Sequence, residues 1–172
     1  MSMTMRMRQT NHWRVAVVAA ALSFTAIANP TSLPAAGNAH ANGGGTVVEG
    51  GEKSTFAFNA VQQTNGSVAG HLTYHFRLAD VTFHMQNDCL KIVGTNKAVI
   101  AGTVTMVTGT SLPFIVQGAR GVFQVQDNGE ANDVNPDLIS DVIIYPVGFQ
   151  ADCMVVPPNP YLPIDGNVTV KP

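Results

Sequence analysis

The chain has 172 residues with 9 basic and 11 acidic side chains, a formal charge of −2, and a hydrophobic fraction of 45%. That length suits one ordinary domain built around one core. Affinity for a phosphate backbone rests on clustered Lys and Arg, whereas the basic residues beyond position 41 are scattered from Lys53 to Lys171, so nucleic acid is disfavoured as a partner.

Residues 1–41 read as an export signal: Arg6, Arg8 and Arg14 lead into an apolar run over 15–27, and helix-breaking Pro30, Pro34 and Gly37 follow. The 13-residue run is shorter than the roughly 18 to 20 residues of a membrane-crossing helix, which favours a cleaved signal peptide over a retained anchor. Two small-x-small sites are present. Ala39-His40-Ala41 is preferred because the glycine triplet and the strand pattern begin just after it; the alternative, Ala26-Ile27-Ala28, lies nearer the apolar run. Cleavage after Ala41 leaves 42–172, with six basic and eleven acidic side chains and a charge of about −5. Without a nearby lipidation cysteine or an apolar tail, the product is expected to be soluble, with no membrane span, and secreted or otherwise extracytoplasmic, at the cell surface or in the periplasm.

After Asn42-Gly43-Gly44-Gly45 the chain alternates apolar and polar residues in short runs separated by Gly, Asn and Pro, which is the period of strands. A first strand is expected over 46–49 and a second over 54–63, with Phe56, Phe58 and Ala60 on one face. Asn65-Gly66 predicts a tight hairpin turn, since both residues tolerate positive φ. A return strand over 68–76 follows. Short strands are then expected over 81–85 and 90–93, separated by a polar break at Gln86-Asn87-Asp88, and Gly94-Thr95-Asn96 turns the chain into a long central strand over 97–108. Further strands are read at 114–117, 122–127, 141–145 and 167–171. Residues 130–140 look turn-rich, and the Pro-rich stretch 146–163 reads as a surface loop.

About nine short strands with no helical period define an all-β fold, a single antiparallel domain. A small barrel is preferred over a sandwich, because a meander of hairpins returns the last strand beside the first and closure removes exposed edges. In an oxidising compartment the only two cysteines, Cys89 and Cys153, are expected to form a disulfide that ties the Pro-rich loop to the sheet.

Gly43-Gly44-Gly45-Thr46, Phe56-Ala57-Phe58-Asn59-Ala60, Gly70-His71-Leu72-Thr73-Tyr74, Gly102-Thr103 and the run from Phe123 through Asp127-Asn128-Gly129-Glu130 occur in an order that resembles a family of small secreted bacterial β domains of unknown function. The resemblance covers most of 43–133, with Gly-His-Leu-x-Tyr and Asp-Asn-Gly-Glu its more specific pieces. It implies an exported bacterial protein and brings no activity with it.

Two constellations could carry chemistry. His71 and His75 share a strand face with Thr73, and a four-residue loop over 77–80 would set Thr73 opposite His84, so that His71, His75 and His84 converge as ligands for zinc or copper. The plainer account is a row of histidines on the wet face of a hairpin. The oxygens of Asp127, Asn128, Glu130 and Asp133, with Asp137 and Asp141 beyond them, could hold calcium, although Asp-Asn-Gly is also an ordinary turn. No cofactor is otherwise implied, and no nucleophile elbow, zinc helix or phosphate loop occurs. Phe56, Phe58, Phe83, Phe114 and Phe123 could fill the core or line a cavity. A non-catalytic binding or envelope-associated module for a small ligand, glycan or protein is therefore favoured. A metal-dependent enzyme using the histidines and a calcium-stabilised structural module are the alternatives.

Overall fold

The computed structural model describes residues 38–129, 134–155 and 161–172. Its strands are β1 (His40–Glu49), β2 (Glu52–Gln62), β3 (Val68–Phe76), β4 (Val81–Val93), β5 (Lys97–Gly109), β6 (Arg120–Gln126), β7 (Leu138–Ile139), β8 (Ile143–Tyr145) and β9 (Leu162–Lys171). From β1 to β6 each strand pairs antiparallel with the next; β6 pairs with β7, β7 with β9, and β9 returns to β1. Eight strands thus close a barrel. The remaining strand, β8, takes residues 120–122 on the same edge of β6 whose other end, Val125 and Gln126, pairs with β7.

Local sequence sets this path. Gly50 and Gly51 have φ of 60° and 89°, the pair of positive values that a two-residue hairpin turn requires, and they fold β2 back onto β1. The Asn65-Gly66 turn is longer than the tight hairpin expected: Gln63 N–H donates to Ser67 O, and Asn65 Oδ1 accepts from Ser67 N–H. Residues 114–117 are not a strand. Pro113 offers no N–H to a ladder and Gly118 sits at φ 87°, so the chain turns there and only Ile115 is buried. The expected loop over 146–163 ends early, because β9 begins at Leu162.

The polar break anticipated at Gln86-Asn87-Asp88 is a bulge inside one continuous β4. Opposite β5, Asn87 faces Gly102 and Cys89 faces Ala101, which leaves Asp88 as the extra residue. One inserted residue reverses the alternation: Val81, Phe83 and Met85 point into the core before it, and Leu90 and Ile92 do so after it. Cys89 is thereby turned outward. A second shift between His84 and Met85 does the same for β5, where Val104 and then Val107 face inward.

Inside the barrel, Phe58 meets Phe123 edge-on at 5.4 Å, and a stack continues through Phe56 and Tyr74 to Phe83. These rings, with Leu72, Met85, Ile100 and Val125, pack the middle of the barrel. A second cluster lies on the outer wall, where Ala151 and Cys153 cover Val99, Ala101 and Val122. There Cys153 forms the disulfide with Cys89, across 64 residues of sequence. Beside it Arg120 binds Asp88 through both terminal nitrogens at 2.6 and 2.8 Å and donates to Ala151 O at 3.0 Å.

Ala41, the preferred cleavage position, is fully buried within β1 and paired with Ala60 and Val170. The alternative site at Ala28 lies outside the described residues. Among the described residues no helix is long and apolar enough to cross a membrane.

Candidate functional site

The connections β1–β2, β3–β4 and β5–β6 all lie at one end of the barrel. At that end a cavity of about 500 Å³ opens, walled by Phe76, Phe83, Val142, Ile144 and Leu162. Val48, Leu78 and Phe114 line it too, yet each is more than half exposed, so they form an apolar rim that no other part of the described chain covers. A concave, mostly apolar site with a few convergent polar groups is the usual form of a small-molecule pocket.

The polar groups are Glu49, Tyr74 and Asp141. Glu49 continues the inward parity of Ala41 and Val47, which brings a carboxylate onto an otherwise apolar face at the last residue of β1. Tyr74 lies on the inward face of β3 with Leu72 and is only 3% exposed. Asp141 enters from the short link between β7 and β8.

The Tyr74 hydroxyl approaches Glu49 without hydrogen-bond alignment, so Tyr74 Oη and Glu49 Oε2 are both buried without a partner. Burial raises the Glu49 pKa above the ordinary carboxylate value, and the negative charge of Asp141 raises it further; the Tyr74 and Ser54 hydroxyls partly offset this. Burial and then the Glu49 charge push Tyr74 well above the usual phenol value, which keeps it neutral. Among the described residues no Lys, Arg or His lines the cavity, so none of them sets a cation against its two carboxylates.

The three histidines lie elsewhere, on the outer wall. Thr73 does face His84 across the β3–β4 ladder, as the loop length predicts, and Thr73 Oγ1 lies 3.0 Å from His84 Nδ1. His75 pairs instead with Thr82 and lies 3.5 Å from Asp80, while exposed His71 faces Gln86. Among the described residues no three His, Cys, Asp or Glu side chains gather closely enough to hold a metal ion.

Of the acidic run, Glu130 and Asp133 lie outside the described residues. The carboxylate of Asp127 accepts from the backbone N–H groups of Gly129 at 2.9 Å and Val170 at 3.0 Å, and the Asn128 side-chain amide donates to Pro136 O at 2.7 Å. Both residues serve the backbone. Of the five phenylalanines, Phe56, Phe58 and Phe123 fill the core, Phe83 is both core and cavity wall, and Phe114 belongs to the rim.

Glu49 and Tyr74 were not among the candidate site residues that sequence singled out, and Asp141 was marked only as an oxygen ligand beyond the acidic run. The signal was present for Glu49 alone, as a charged residue at an inward position of an alternating strand. The approach of Asp141 depends on how β7 and β8 share one edge of β6, which no local pattern encodes. No family model, curated protein or solved structure matches this chain.

Proposed function

We propose that this protein is an exported binding module that takes a small, largely apolar ligand into the open mouth of its barrel. The observation that carries the reading is the cavity itself, whose apolar wall includes the buried, unpaired Tyr74 hydroxyl. Leaving a buried polar atom unpaired is costly, and such an atom is a natural anchor for a ligand that supplies the missing partner. The exposed side chains of Val48, Leu78 and Phe114 give an incoming ligand an apolar approach. Export is supported by the leader-like residues 1–41 and by the disulfide, which persists in oxidising compartments.

The test is titration with a neutral apolar fluorophore such as Nile red. Saturable one-site binding is expected, weakened about fivefold or more by Leu78→Ser with Phe114→Ser, in line with the loss of apolar contact. Val142→Trp should block the cavity and remove binding. Titrations without saturation, or saturation indifferent to both changes, would refute the mouth as a ligand site.

A further inference from the structure

The chemistry of the mouth narrows the ligand further, on the premise that the mouth binds a ligand at all. Two carboxylates, Glu49 and Asp141, line the same mouth, close enough for the charge of Asp141 to raise the pKa of Glu49, within an apolar wall to which no described basic side chain contributes. Buried or half-buried acids in proteins are ordinarily paired with a cation or hydrogen-bonded donors. Here no described cation reaches Glu49, and neither its Oε2 nor the hydroxyl of Tyr74, a residue only 3% exposed, makes an aligned hydrogen bond, although the two approach each other. Among the described residues the ion pairs are Arg120 with Asp88 and His75 with Asp80, both away from the cavity.

From this arrangement we infer that the ligand carries a primary ammonium group on an apolar body. A primary ammonium has three N–H donors, and the mouth presents three acceptors for them: the Glu49 carboxylate, the Asp141 carboxylate and Tyr74 Oη. The positive charge answers both acids at once. The apolar body lies along Leu78, Phe76, Phe83 and Phe114, and the rings of the three phenylalanines also favour a neighbouring cation. A carboxylate-headed ligand of the same shape meets two like charges and is rejected. A calcium ion is a poorer match, since its roughly six to eight oxygen ligands exceed what these two carboxylates and one neutral hydroxyl provide.

Calorimetric titration of the oxidised protein at pH 7.5 with octylammonium, octanol and octanoate, each below its micellar concentration, separates this inference from its premise. Octylammonium should bind at least about tenfold more tightly than octanol, with octanoate the weakest, as expected for charge-assisted hydrogen bonds in a site of low dielectric. Glu49→Gln and Asp141→Asn, tested separately, should each cut the amine-to-alcohol affinity ratio by roughly tenfold. Thermal melts confirm that each variant folds, and either one alone suffices. If octanol and octylammonium bind equally well, the carboxylates merely share a proton; the inference falls and the binding module stands. If none of the three binds, the mouth is not a ligand site and both readings fall.

Discussion

The Asp137 carboxylate accepts a hydrogen bond from the backbone N–H of Val168 at 2.6 Å and, through its other oxygen, one from the N–H of Asn128 at 2.8 Å. One edge of β9 is satisfied by β1 along nearly its whole length, whereas on the other edge β7 covers only Leu162 and Pro163. Where β7 ends, side chains replace the missing strand: Asp137 takes the N–H of Val168 and Asp127 takes that of Val170. The barrel is therefore closed partly by carboxylates.

Since Asp137 is fully buried, Asp137→Ala leaves two amide donors without an acceptor. A loss of about 3 kcal/mol is expected from charged hydrogen bonds and the stranded donors, read as a lower urea midpoint. Asp137→Asn should also destabilise, because its NH₂ must face one of those two N–H groups. Asp165→Ala, at an exposed position of β9, should stay within about 0.5 kcal/mol of the parent.

The disulfide should matter for stability and for one segment in particular. Its 64-residue separation corresponds to about 4 kcal/mol in the chain-entropy model, an upper figure since reduced chains retain some structure. Cys89→Ala with Cys153→Ala is expected to lower the melting temperature and to make the segment around 146–155 the first site of proteolytic nicking. That segment is held otherwise by Ala151, through its burial and its bond to Arg120, and by the stacking of Phe149 on Tyr145. Limited proteolysis with mass mapping checks the order of cleavage.

Strand alternation was legible wherever a strand pairs regularly, as in β2, where Phe56, Phe58 and Ala60 all face inward. The Thr73–His84 register followed from loop length alone. Barrel closure followed from the meander, since β9 pairs with β1 as expected of a closed ring. What escaped were the interruptions: Asp88 reads as a break because a bulge and a turn draw on the same polar residues. The acidic run near Asp127 admits both a turn and a calcium loop for a related reason, because oxygens that cap backbone amides and oxygens that bind cations belong to the same residue types. The mouth itself was invisible, since Glu49, Tyr74 and Asp141 come from three separated segments that meet only once the ring closes.

Glu49 should impose a pH dependence on stability. In the unfolded chain it titrates in the ordinary carboxylate range, and in the fold burial raises that value. Between the two values the native state holds the proton more tightly, so stability falls as pH rises through this window and remains lower above it. Glu49→Gln removes the effect. It should match the parent near pH 4 and melt at a higher temperature than the parent at pH 8, as followed by circular dichroism. A parent protein more stable at pH 8 than the variant would mean that the Tyr74 and Ser54 hydroxyls outweigh the burial of the Glu49 carboxylate.

On the export reading, the mature chain should begin at Asn29. Cleavage after Ala41 would remove His40 and Ala41 from β1, and with them the pairings of His40 with Val61 and Lys171 and of Ala41 with Ala60 and Val170. It would also delete Ala39 O, the acceptor for the Gln62 N–H at 2.8 Å, and leave the charged α-ammonium of Asn42 beside the site that buried Ala41 vacates. Ala26-Ile27-Ala28 carries the same small-x-small pattern directly at the end of the apolar run, and cutting there leaves β1 whole. Intact-mass measurement and N-terminal sequencing of the exported protein decide between Asn29 and Asn42. Comparison of the two chains should find the one starting at Asn42 less stable, because a strand end that frays beside β9 also loosens the seam that Asp127 holds at Val170. An exported chain that begins at Asn42 and melts no lower than its longer counterpart would mean that β1 does not need its first two rungs.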